Sequence, residues 1–251
     1  MIKNIYILFF VLLTVNLEAQ EELFIQFNTQ HNGIGNVYIL EPSGLFVLSN
    51  KAKLEAIIIG NFTKNQVTTV IYDYENNRIR NRFHIDDFEL FTYGVSEINY
   101  PDKNATIDEA YKDLPISINN IKIEYYHNYY DDDCIKGRVK SVGNTKLEYY
   151  QEYYLDERIK GSVAKIGRYN IELSNSTYEP KSFGFINKIG DIIIKYSKAN
   201  YEKSLNGLII AIGNYKINYF DDIYDKRHLG QFKKLEGSDH RFVLLEFGIG
   251  F

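Results

Sequence analysis

Residues 135–150 read IKGRVKSVGNTKLEYY, and residues 205–220 read LNGLIIAIGNYKINYF. The two strings align without a gap. Each has a glycine in third place, an apolar residue and a glycine at its centre, and two aromatic residues at its end. The central pair recurs between them as Ile166-Gly167 and Ile189-Gly190. Gly143, Gly167, Gly190 and Gly213 are therefore spaced by 24, 23 and 23 residues. A second glycine runs six residues ahead, at Gly137, Gly161, Gly184 and Gly207, and again at Gly230. Self-similarity at such a period marks a repeat architecture.

The unit reads as a β-hairpin. Ile135 to Val142 is an apolar-rich strand, Gly143-Asn144 a two-residue turn, and Thr145 to Tyr150 the return strand. Glycine in the first central position suits a type II′ turn, which needs positive φ there. Gly167-Arg168, Gly190-Asp191 and Gly213-Asn214 fit the same turn. The turn fixes register, and register sorts the side chains. Around Gly213, strict alternation puts Ile212, Tyr215, Ile210, Ile217, Leu208 and Tyr219 on one face, with Ala211, Lys216, Ile209 and Asn218 on the other. Around Gly190 the apolar face holds Ile189, Ile192, Asn187, Ile194, Phe185 and Tyr196. The same register sets the second glycines against the return strand, Gly137 facing Tyr150 and Gly207 facing Phe220.

Read outward, the period reaches a further turn at Ile118-Asn119, then weaker candidates at Gly94, Gly60 and Gly35, with an insertion near Asn76-Asn77. The expected plan is a leader at 1–19, degenerate β-repeats at 20–110, regular hairpin repeats at 111–236 and a C-terminal strand at 237–251. The fold class is all-β: tandem antiparallel β-hairpins with a period of about 23–25 residues, forming an extended or rolled meander sheet. Its apolar face has to be covered by rolling, by folding into two layers or by closing into a barrel. The segment RFVLLEFGIGF, residues 241–251, alternates and ends on Phe251, as the last strand of an outer-membrane barrel does. Arg138, Lys140 and Asn187 on the repeat strands weigh against a lipid-facing surface.

The strings IKGRVKSVGNTKLEYY and LNGLIIAIGNYKINYF resemble tandem segments in uncharacterised secreted proteins of Bacteroidetes, over residues 115 to 236. The resemblance implies export and a β-repeat, with no activity or site residue attached. Hairpin arrays of similar period also occur in MORN-repeat proteins. Their Gly-Glu-Trp/Tyr signature is missing here, so that similarity is one of architecture alone.

The N-terminus reads as a secretory leader: Lys3, an apolar run from Ile5 to Val15, and a cut before Gln20. The run is too short to span a membrane, and no other stretch is apolar enough for a transmembrane helix. Losing Lys3 and Glu18 together leaves the net charge at −4, which argues against a nucleic-acid partner. The single cysteine, Cys134, has no internal disulfide partner and sits beside Asp131, Asp132 and Asp133, which raise a thiol pKa.

No catalytic constellation stands out. His31, His84, His127, His228 and His240 show no ligand spacing, and Ser238-Asp239-His240 are too close in sequence to make a triad. No residue is assigned a catalytic, cofactor-binding or metal-binding role. The acidic loops at 131–133 and 221–225 read as solvated turns, with calcium binding as the alternative, although no complete calcium-loop consensus is present. The 22 tyrosines are the notable surface resource. Tyr126, Tyr150 and Tyr154 are the candidate binding rings, since amphipathic rings on a wet face suit a protein or glycan partner. The alternative is that they cover neighbouring strands. The expectation is an exported, non-enzymatic protein that binds or scaffolds in the periplasm, at the cell surface or outside the cell. An integral outer-membrane barrel is the second reading, and an enzyme acting on an extracellular polymer the third.

Overall fold

The computed structural model describes residues 22–79, 81–85, 88–93, 97–102, 112–127, 131–151, 155–175, 181–198 and 204–247. The expected leader lies outside them, as do Gly94 and Tyr154. The described residues form two sheets and one helix, and neither sheet closes into a barrel among them.

The repeats form a twelve-stranded antiparallel meander in which every strand pairs with its sequence neighbours. Its strands are β7 (Ile98–Asn99), β8 (Ser117–Ile118), β9 (Ile121–Tyr125), β10 (Val139–Val142), β11 (Thr145–Tyr149), β12 (Val163–Ile166), β13 (Tyr169–Leu173), β14 (Ile186–Ile189), β15 (Ile192–Tyr196), β16 (Ile209–Ile212), β17 (Tyr215–Tyr219) and β18 (Phe232–Glu236). Gly143, Gly167, Gly190 and Gly213 stand at turn tips with φ of 55, 52, 57 and 54°. The residue after each has negative φ, as type II′ requires. The turn between β8 and β9 instead uses Asn119 and Asn120, both at positive φ, the type I′ combination.

Strict alternation fails in each outgoing strand. Lys195 pairs with Ala211 but Tyr196 pairs with Ile209, so Ile210 is the extra residue of a β-bulge. Equivalent bulges leave Lys140, Ala164, Asn187 and Lys233 without a register partner. Ile209, expected on the wet face, is buried, and Ile210, expected in the core, is 40 % exposed. Val139, Val163 and Ile186 are buried at the position of Ile209. The bulge also moves the second glycines. The Gly137 N–H donates to Tyr126 O, Gly161 to Tyr150 O and Gly207 to Ser197 O. Each therefore pairs with the strand before its hairpin, not with the return strand after it.

The N-terminal region departs from the expected degenerate repeats. Its strands are β1 (Leu23–Asn28), β2 (Gly33–Glu41), β3 (Gly44–Ser49), β4 (Leu54–Ile59), β5 (Asn81–Ile85) and β6 (Phe88–Thr92), and β19 (Val243–Phe247) joins them. They form a mixed sheet in the order β19-β1-β2-β3-β4-β6-β5. Gly35 lies inside β2, and Gly60 follows β4. The place expected for an insertion holds a helix, α1 (Lys64–Glu75), which ends at Asn76. Gln66 Oε1 accepts from the Thr63 N–H at 2.9 Å, the return half of a capping box. β19 runs parallel to β1, Phe24 opposite Val243. That is unlike a barrel-closing strand, since bacterial outer-membrane barrels are antiparallel throughout.

Both faces of the mixed sheet are covered. Tyr38, Leu45, Val47 and Ile58 face α1 and pack with its Val67, Val70 and Ile71. Ile25, Phe27, Ile39, Phe46, Leu48 and Ile57 face the meander and share one core with Val139, Leu147, Ile166, Ile189 and Ile212. The layers are thus helix, mixed sheet and meander. The β3–β4 turn fastens the last two. Ala52 O accepts from Val163 N–H at 2.8 Å, and Asn50 O from Ile186 N–H at 2.9 Å.

Candidate functional site: the outer face of the meander

The inner face of the meander is spent on the shared core, so its free surface is the outer face. Three of the tyrosines ending the return strands play an inner role. Tyr149 Oη donates to Val139 O at 2.9 Å, Tyr196 Oη to Ile186 O at 2.7 Å, and Tyr219 Oη to Ile209 O at 2.7 Å. Each accepting carbonyl belongs to the buried residue just before a bulge. Tyr125 makes the corresponding bond to Pro115 O at 3.0 Å. Burial holds all four phenols well above the usual tyrosine range.

The candidate binding rings Tyr126 and Tyr150 are half-buried. Their hydroxyls donate one repeat onward, Tyr126 to Leu147 O at 3.0 Å and Tyr150 to Ile171 O at 2.7 Å. The structure gives these two rings the role of ties between neighbouring hairpins. Tyr154 lies outside the described residues.

The outer face has a regular charge pattern that register makes visible. Glu124, Glu148 and Glu172 occupy equivalent positions on β9, β11 and β13, facing Ser141, Lys165 and Lys188. Glu124 accepts from Ser141 Oγ at 3.1 Å and from Lys122 Nζ at 2.5 Å. Those bonds, the lysine one foremost, hold its carboxyl below the usual range. Glu172 meets Lys188 Nζ at 2.7 Å, and Glu148 lies 3.7 Å from Lys165 Nζ.

The pattern reverses in the next repeat. The equivalent position on β15 is Lys195, opposite Ala211, and Lys195 makes no hydrogen bond or ion pair among the described residues. Lys216 stands next to Ala211 on the other side, with Glu236 beyond it. Ile193 and Ile210 flank this spot, 50 % and 40 % exposed. Lys188 is paired with Glu172 and Lys234 with Glu236, so Lys195 and Lys216, on either side of Ala211, are the charges that stand beside the two bared isoleucines. The signal was in the sequence: Lys195 stands where aligned repeats carry glutamate.

The acidic loops are accounted for locally. Asp132 Oδ1 accepts from Cys134 N–H, Asp156 binds Arg158, and Asp225 pairs with His228 at 2.6 Å. Among the described residues no three His, Cys, Asp or Glu side chains converge on a possible metal position. Burial, then Asp132, pushes the Cys134 thiol up. Asp239 is a structural cap, accepting from Asn214 N–H at 2.9 Å and from Arg241 Nε at 2.8 Å.

Neither a protein-family model, nor a curated protein, nor a solved structure matches the chain. No helix among the described residues is long and apolar enough to cross a membrane.

Proposed function

We propose that this chain is an exported, non-enzymatic binding or scaffolding protein, and that it meets an acidic partner through the outer face of its meander at the cell envelope or outside the cell. One observation carries the reading: the change from Glu172 to Lys195 at equivalent register positions, with Ile193 and Ile210 exposed beside it. Lysines around apolar anchors favour an anionic surface, and complementary charge sets specificity and encounter rate. The apolar centre supplies contact area that water-exposed ion pairs lack.

The integral outer-membrane barrel draws support from the alternating C-terminal segment. It is weakened by the parallel pairing of β19 with β1 and by the burial of both faces of the mixed sheet. The test is fractionation of producing cells, followed by in-cell cross-linking of the full chain. Recovery outside the cytoplasm, release by carbonate and cross-linking that Lys195→Glu with Ile210→Ser abolishes would support the proposal. Retention in the membrane after carbonate would favour the barrel. An unchanged cross-link in the double variant would remove the patch from the account.

A further inference from the structure

A second feature lies on another surface. Between the two sheets, where the β1–β2 turn meets the inter-hairpin loops of the meander, opens a cleft of about 390 Å³. That size and its place at an interface between structural layers are those of small-molecule sites. Its walls come from several separate parts of the chain. The β1–β2 turn gives His31 and Asn32, the β3–β4 turn gives Asn50, and the loops before β14 and β16 give Lys181, Phe185 and Asn206.

The chemistry of the walls is amide-rich. The side chains of Asn50 and Asn206 make no hydrogen bond among the described residues. Asn32 donates from Nδ2 to Gly230 O at 2.7 Å, while its Oδ1 is buried without a partner among the described residues. Its φ of 53° is left-handed, an uncommon backbone state for a residue with a side chain. Phe185 and Tyr196 add an aromatic wall, stacked with ring centroids 6.2 Å apart, and Lys51 Nζ lies over the Phe185 ring at 5.7 Å from its centroid. No carboxylate lines the cleft among the described residues.

We propose that this cleft binds a neutral sugar ring. An amide offers a donor and an acceptor a short distance apart, and a hydroxyl is both donor and acceptor, so vicinal hydroxyls match uncommitted asparagines. An aromatic wall covers the C–H face that a pyranose presents between its hydroxyls. The lining also holds His31, Lys181 and the apolar Ile34 and Leu208, and it has no carboxylate among the described residues, so it does not select a cationic ligand. The site is separate from the Lys195 face, so either assignment can fail while the other stands.

The test titrates the purified chain with methyl glycosides of glucose, galactose and mannose, and with neutral tetrasaccharides of the same sugars, followed by amide NMR. The expected result is saturable shifts of the Asn50 and Asn206 side-chain amides. Affinity should fall about tenfold or more in Asn50→Ala with Asn206→Ala, the effect of losing two such bonds. Thermal unfolding of that variant should be unchanged, because the Asn50 bond to Ile186 uses backbone atoms. Tighter binding of a tetrasaccharide than of its monosaccharide identifies a glycan end as the source, and equal binding identifies the free sugar. Absence of saturable shifts with every neutral sugar overturns the proposal. So do shifts that survive the double variant, or stronger binding of a glucuronate than of any neutral glycoside.

Discussion

Tyr149 closes its own hairpin by donating its hydroxyl to the carbonyl of Val139, ten residues earlier, at 2.9 Å. Val139 keeps Tyr125 as its register partner on β9, but the pairing of β10 with β11 stops at Ser141 and Lys146, and the tyrosine supplies a partner to a buried carbonyl beyond the end of that ladder. Tyr149→Phe keeps the ring and removes the bond. The expected loss is about 1–2 kcal/mol in urea unfolding, the scale of a buried acceptor left unsatisfied. Tyr219→Phe should behave alike. Leu173 is the built-in comparison: it occupies the same position with no hydroxyl, so Leu173→Phe should show no loss of hydrogen-bond origin.

Turn glycines differ in what surrounds them. Gly167 combines left-handed backbone with the Glu41 carboxylate against the place a Cβ would take, whereas Gly184 at φ 78° has open space there. Gly184→Ala should lose about 1 kcal/mol, the strain of the left-handed state alone. Gly167→Ala should lose somewhat more, because the end of the Glu41 side chain has to swing aside as well. Equal losses in thermal or urea unfolding would show that the contact with Glu41 is slack.

Acid should act through Asp239. Its carboxyl is held well below the usual aspartate value, first by Arg241 and then by backbone donors. A depressed carboxyl contributes stability that is fully present above its unfolded value of about 3.9 and is lost as pH falls through the folded value. Wild type should therefore lose stability steadily below about pH 4. Asp239→Asn should start less stable at pH 7 and show a shallower acid limb. Glu41 acts in the opposite sense. Burial, then Glu22, raises its carboxyl pKa, so its contribution improves as pH falls through that raised value.

Lys195→Glu tests the outer face without disturbing the fold. Glutamate already occupies the equivalent place on β9, β11 and β13, so the change should alter unfolding free energy by less than about 0.5 kcal/mol. Any loss of partner binding in that variant would then report on the face itself. A large destabilisation would mean that Lys195 has a structural role.

The hairpins were legible because their turns are local. A glycine followed by Asn, Arg or Asp at fixed intervals dictates both turn type and strand direction, and the structure follows it at Gly143, Gly167, Gly190 and Gly213. The bulge was legible too, and strict alternation hid it. Val139 and Val142 are three apart, as are Val163 and Ile166, and Ile186 and Ile189, a spacing a flat strand cannot place on one face. The mixed sheet was opaque for a different reason. FIQF, VYIL and LFVL are buried on both sides, so neither face shows alternation, and a period of two has nothing to report. In α1 the apolar series Val67, Val70, Ile71 and Tyr74 carried the helical period, but it fell in a segment being measured against a hairpin repeat. The outer-face patch required register first, since Lys195 is unremarkable until it is aligned with Glu172. The cleft joins residues as far apart as His31 and Asn206, which no local pattern connects.

The pairing of Phe24 with Val243 has a temporal meaning. β1 emerges early in synthesis, and its parallel neighbour comes more than two hundred residues later, after every hairpin has been made. Each hairpin is a short-range event, but the sheet that covers them all is finished by a pairing between the two ends of the described chain. Loop closure over such a span is slow compared with hairpin formation. The array is therefore not a string of interchangeable modules. Removing or adding one copy would change where β19 is delivered, and a chain cut after Glu236 would leave β1 as an open edge.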